Sequence, residues 1–459
     1  MVITVFDRAH VPQKFDTTPP PPPPPPGEEK LYKGHYWKIF PGNVLTSTGA
    51  INVSALNTIF AEIQASPACR GIKFTFGWGE CENSFNTVSQ GIGYVAAINY
   101  IAKRCWDARS WATPRDIRMI LAVDIKGGTN ISGLLPSDMI VQGGFTPTRP
   151  GYTPYTLAYP YTSAGSAPNA GTFSGYYPKV WKTQVQNRLL QFFQRLANHV
   201  PPNCDGKSLD QGDILAMFSN LESAPRNCYD TYQDSVSTDG DPVGSLDAHE
   251  QGVFNLVKKI KQAFPLTPVT MSLNYSRPYC AEIIPQLHAL KIGINTPNIN
   301  LSTGINTIDN SPPITNGILR YFLDPAIYNS LIINPEVQGD DFVSTYGKDA
   351  RDRADAFAKQ NPPNWTAVDA EYDFPAYLAL WNRLKELNAH YVIWQREPPF
   401  FNGGTLTESF TMFDGSKVNH TFPGNRPSFL ATFFQTNAEL NNPADVTGGV
   451  NPGNPTNAI

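Results

Sequence analysis

Two short apolar runs in this chain each finish on a carboxylate. Leu331-Ile-Ile-Asn-Pro-Glu336 reads as a buried strand that presents Glu336 where it stops, and Ile214-Leu-Ala-Met-Phe-Ser-Asn-Leu-Glu222 delivers Glu222 in the same manner. A third run, His390-Tyr-Val-Ile-Trp-Gln-Arg-Glu397, brings Trp394, Gln395 and Arg396 to its end. Two carboxyl groups on different strands are what glycosidic bond cleavage requires, one protonated to assist the leaving oxygen and one ionised. A separation of about 5–5.5 Å implies retention of configuration and about 6.5–9.5 Å inversion. Either glutamate alone reads better as a loop cap or an arginine partner; the two together favour chemistry. Arg277 or Arg396 is the expected cation that keeps one carboxyl ionised.

Carboxylates this far apart in sequence need a scaffold that gathers them. Eight strand candidates run along the chain: Tyr36–Phe40, Ile72–Phe76, Arg118–Asp124, Ile214–Phe218, Val269–Asn274, Lys291–Asn295, Leu331–Asn334 and Tyr391–Trp394. Between them lie helical periods such as Leu56, Ile59, Phe60 and Ile63, or Tyr377, Leu380, Trp381, Leu384 and Leu387. Strands alternating with helices predict a parallel sheet, and eight units predict closure: an α/β protein, a (β/α)8 TIM barrel over residues 31–440. An open doubly wound sheet would want GxGxxG or GxxxxGK[ST] after an early strand, and neither occurs. Trp365–Glu371 competes for the seventh strand, but Leu331–Asn334 is more apolar and β-branched. Residues 401–425 read as a hairpin around Asp414-Gly415, and Pro427 to Glu439 as a closing helix. In a barrel the strand ends share one rim, so Trp78, Glu80, Asn220, Asn274, Tyr275, Asn295, Gln338 and Trp394 become substrate-binding candidates beside Glu222 and Glu336.

This arrangement resembles the clan A glycoside hydrolases, as an architecture over about 31 to 440. The resemblance implies Glu222 as acid/base at the end of strand 4, Glu336 as nucleophile at the end of strand 7, and Trp394 as a floor for a sugar ring. In that family Asn directly precedes the acid/base Glu. Here Leu221 stands between Asn220 and Glu222, and a one-residue offset on a strand reverses which side a residue faces.

The insertion 127–178 is far longer than an ordinary connection and holds Tyr152, Tyr155, Tyr159, Tyr161, Tyr176 and Tyr177. Aromatic rings that stack on sugar C–H faces would suit a carbohydrate groove; an oligomer or virion interface accounts for them equally well.

Residues 1–30 read as an extended arm. Pro19 to Pro26 form a polyproline rod, and Val2-Ile-Thr-Val-Phe6 before it reads either as a disordered tail or as a segment that docks on a protein partner or another copy in an oligomer. Residues 441–459, rich in Asn, Pro and Gly, read as a disordered tail.

Charged residues are 16% of the 459 and the net charge is −4, which speaks against nucleic acid as a partner. No apolar run is long enough for membrane insertion, and no signal peptide precedes the arm, so the expected location is cytoplasmic or virion-associated. Six cysteines form no CxxC pair, the histidines show no ligand spacing, and no Gly-x-Ser-x-Gly elbow occurs, so no metal or other cofactor is expected. The thiols are expected free and buried, with a Cys204–Cys228 disulfide as the rival. The first functional expectation is therefore a glycosidase of a polysaccharide or cell-envelope glycan. The alternative is a non-catalytic structural, decoration or attachment protein of a virion, a bacteriophage particle for example, that binds glycans or partner proteins.

Overall fold

The computed structural model describes residues 30–125, 131–141, 157–162, 173–220, 246–273, 280–296, 299, 319–338, 346–371, 374–396, 407–422, 433–434, 437–442, 445 and 447–456. Their strands are β1 (Gly34–Ile39), β2 (Cys69–Gly77), β3 (Arg118–Asp124), β4 (Ala158–Thr162), β5 (Phe173–Pro178), β6 (Leu215–Asn220), β7 (Val269–Ser272), β8 (Ile292–Thr296), β9 (Ile333–Val337), β10 (Tyr391–Gln395), β11 (Thr407–Thr411) and β12 (Lys417–Thr421). Eight of them close into a barrel in the order β1-β10-β9-β8-β7-β6-β3-β2. Every neighbouring pair in that ring is parallel, so all eight carboxyl ends share one rim.

Helices cover the outside of the ring. In the helix Val53–Ala65 the residues Leu56, Ile59, Phe60 and Ile63 are the buried face, and the Asn52 side chain caps its first turn by accepting from the Ala55 N–H at 3.2 Å. Val185, Leu189, Phe192, Phe193 and Leu196 do the same in Thr183–Ala197. The chain then uses both faces of each barrel strand. Outward residues join the large core shared with the helices, whereas Tyr36, Ile120, Ala216, Met217, Ile332, Tyr391 and Ile393 form a second cluster that plugs the lower lumen.

Several expected boundaries move. Trp365–Glu371 is a helix, which removes the rival seventh strand. Directly after β2 comes the helix Trp78–Ser84, which carries Glu80. The seventh barrel strand does not stop at Asn334: it runs through Pro335, in register with Thr296, to Val337. The expected hairpin is present as β11 and β12. Its inward residues Phe410 and Phe422 pack with Ala354, Ala358 and Val368 of neighbouring helices. Of the expected closing helix, Phe433 and Phe434 are described and are buried against Trp394. The tail is not disordered where it is described, since residues between 445 and 456 bond to the barrel's lower face.

Candidate functional site

Glu336 sits one residue before the carboxyl end of β9, where its strand's alternation turns it into the lumen. It is 1% exposed. Lys38 of β1 places its ammonium 2.9 Å from Oε2, and Lys73 of β2 bonds Oε1. The two lysines are register partners on adjacent strands, and each follows a residue that faces the helices, so both reach inward. Burial alone would push the Glu336 carboxyl up. The two ammonium groups overcome that and hold it at about 2. Burial, aided by the charge of Lys38 and opposed by Glu336, pulls Lys73 down to about 8. Two cations share one anion, so the carboxylate is held firmly and one ammonium is the more dispensable.

The rest of the upper lumen is polar. Asn295 donates from Nδ2 to Ser219 Oγ at 2.8 Å, reaching across β7 from β8 to β6. Asn334, its register partner on β9, directs Nδ2 at Met217 Sδ. The Oδ1 atoms of Asn295 and Asn334, and the hydroxyls of Thr75 and Thr270, are buried without a hydrogen-bond partner. Such a lining departs from the branched aliphatic layers that usually fill a barrel of this kind.

The expected site residues divide. Glu336 and Asn295 turn into the upper lumen, whereas Asn220, at the end of β6, follows the inward Ser219 and shares the phase of Val123 in the outer core. Asn220 is fully buried and accepts at Oδ1 from the Ser272 N–H at 2.9 Å, so it ties β6 to β7. Gln338, partly exposed, follows β9 at the rim. Glu80 is exposed on the helix Trp78–Ser84, with Tyr94 as hydrogen-bond partner. Glu222, Asn274 and Tyr275 lie outside the described residues.

Two aromatic expectations are corrected. Trp394 pairs in register with Trp37, and both turn outward. Its indole N–H donates to His35 Nδ1 at 3.0 Å and its ring packs on Phe433 and Phe434. It therefore offers no floor to a sugar, and its neighbour Gln395 takes the lumen side. Trp78 is fully buried in the main core and donates from Nε1 to Glu82 Oε2 at 2.7 Å.

The tyrosine lid is likewise altered where it is described. Tyr176 and Tyr177 on β5 are buried and present no open face. Arg396 is not the cation beside Glu336; it forms a two-point bond with Glu62. Arg277 lies outside the described residues. Among the described residues the cations beside Glu336 are Lys38 and Lys73, which the sequence reading missed. The available signal was a lysine embedded in an apolar strand, Ile72-Lys73-Phe74, because an ammonium there must find a buried partner.

Cys69, Cys81 and Cys105 are buried free thiols and Cys204 is also free; Cys280 is buried and forms no disulfide, and Cys228 lies outside the described residues. Among the described residues no cluster of His, Cys, Asp and Glu is arranged to hold a metal ion, and no helix is long and apolar enough to cross a membrane.

No protein family and no curated protein sequence matches this chain. Among solved structures it aligns with endo-glycoceramidase II from Rhodococcus sp. at 10% identity and a TM-score of 0.42, covering 88% of this chain and 78% of that one. An endo-β-1,4-mannanase from Thermotoga petrophila aligns at 9% identity and a TM-score of 0.41, over 90% and 78% of the two chains. Amy13B of Eubacterium rectale gives 11%, 0.36, 80% and 66%. At these values the likeness says nothing about chemistry, and the barrel stands on its own strand order.

Proposed function

We propose that the chain is a glycoside hydrolase that acts on a polysaccharide or cell-envelope glycan, with Glu336 as the ionised carboxylate and Glu222 as its acid/base partner. The observation that carries this reading is Glu336 itself. It stands near the carboxyl rim of the seventh barrel strand, and two ammonium groups hold it far below the usual carboxylate range. A carboxylate that stays ionised under all ordinary conditions suits the nucleophile or base of glycosidic cleavage, which leaves the protonated role to a second group. Glu222 comes two residues in sequence after Asn220, the last residue of β6. The partnerless amide oxygens and threonine hydroxyls in this lumen add support. Each costs about 1–3 kcal/mol, and such groups persist where polar chemistry is wanted more than stability.

In this mechanism Lys38 and Lys73 orient the Glu336 carboxylate and preserve its charge, while Glu222 protonates the departing oxygen. Lys38, the less enclosed of the two, releases Oε2 when substrate enters. The burial of Glu336 favours a second reading, in which the three charges are only a strut in a non-catalytic scaffold.

Hydrolysis assays on a panel of polysaccharides and chromogenic glycosides separate the two readings. The hydrolase reading expects turnover by the wild-type chain and a loss on the order of 10³-fold or more in Glu336→Gln. Turnover that survives in Glu336→Gln, or no turnover on any glycan, rejects it.

A further inference from the structure

The C-terminal residues 447–456 cross the lower face of the barrel and bond to the segments that lead into three consecutive strands of the ring. At β1, His35 Nε2 donates to Gly448 O at 2.9 Å, and the Lys33 ammonium, just before the strand, is surrounded by Pro452 O at 2.5 Å, Gly453 O at 3.0 Å and Asn454 Oδ1 at 3.0 Å. At β10, the Asn451 N–H donates to Ala389 O at 2.9 Å and its Nδ2 to Asn388 O at 3.4 Å. On the approach to β9, the Thr456 N–H donates to Asn329 O at 3.0 Å.

The local sequence is shaped for this contact. Gly448 and Gly449 both take positive φ, and a Cβ on either would come within 3.0 Å of His35 or Trp381. Asp445 holds the turn by accepting from the Thr447 and Gly449 N–H groups at 2.9 and 2.6 Å.

The strands so joined are those that close the ring. β1 and β10 are the first and last barrel strands, and their pairing is the seam that seals it. β1 and β9, on either side of β10, also carry Lys38 and Glu336. We propose that residues 447–456, with Asp445 holding their first turn, are a clasp that holds the barrel seam shut from below and thereby fixes the register in which Lys38 meets Glu336. This clasp is independent of whether the site hydrolyses anything.

Hydrogen-exchange mass spectrometry on the full chain tests it, comparing wild type with Lys33→Met and Asn454→Ala. Asn454→Ala removes one acceptor and alters no residue of the ring, so it reports even where Lys33→Met does not fold. The clasp predicts at least tenfold faster exchange in peptides covering Gly34–Ile39 and Tyr391–Gln395, with Arg118–Asp124 unchanged. Faster exchange confined to 445–456, a uniform rise in every strand, or no change in either variant overturns it.

Discussion

At the residue scale, the buried charges set an order of sensitivity that simple pairing would not give. Glu336→Gln takes the carboxylate from between two buried ammonium groups, and breaking a buried ion pair costs about 3–5 kcal/mol. Lys73→Met leaves one cation on one anion and keeps most of the side-chain volume. Lys73 is moreover already pulled down to about 8, so its charge is held less firmly than the carboxylate's. Its removal is expected to cost about 1–2 kcal/mol. Urea denaturation of both variants at neutral pH measures the difference, and equal losses would show that the carboxylate needs both cations. Here the sequence was informative by halves. Glu336 stood out because an apolar run led to it. Its lysines did not, because nothing local says which of several distant carboxylates a buried ammonium will meet.

At the element scale, the barrel was legible and the strand phases were not, for one physical reason. Eight apolar runs spaced by helical periods specify a closed parallel ring. Both faces of such strands are buried, however, so the alternation that marks an inner face in an antiparallel sheet is missing. Placing β10 correctly therefore left open whether Trp394 or Gln395 faced the lumen, and the residue chosen as sugar floor turned outward. The seventh strand, expected to end at Asn334, likewise continues through Pro335, although proline removes a ladder donor. The glycine that starts the inner run of β2 was also silent in sequence. Gly71 has φ +154°, beside a register shift against β1, and a Cβ there would sit 1.8 Å from the Arg118 carbonyl oxygen. Gly71→Ala should therefore force β2 from β3 and cost about 3 kcal/mol or more. Gly42→Ala, whose Cβ meets nothing within 4 Å, is the control. A Gly71→Ala midpoint in urea matching that of Gly42→Ala would refute the close approach.

At the scale of the whole molecule, the seam is where acid should act first. Two buried histidines serve it in the neutral form. His35 accepts from Trp394 Nε1 at Nδ1 and donates to Gly448 O, while His390 accepts at Nδ1 from the Ile333 N–H at 3.1 Å. Burial pulls His35 down to about 4 and His390 to about 3. In the unfolded chain both take up protons near the ordinary value of 6.5. From there down to about 4 the unfolded state binds more protons than the folded one, so stability falls as pH is lowered through this window. The slope approaches about 1.4 kcal/mol per pH unit for each histidine. Glu336 contributes in the same direction but later: its stabilisation is intact above the ordinary carboxylate value of 4.5 and is lost as pH drops toward about 2. Protonating either Nδ1 sets one N–H against another at the lower ends of β1, β9 and β10, so the ring should open there before it opens elsewhere. Urea midpoints at pH 7.5, 6.5, 5.5 and 4.5 should decline from the second value onward, and His35→Gln, which keeps an acceptor and a donor but does not titrate, should make the slope down to pH 4.5 shallower. A profile that is flat between pH 6.5 and 5, or one that His35→Gln leaves unchanged, would place the acid-sensitive element away from the seam.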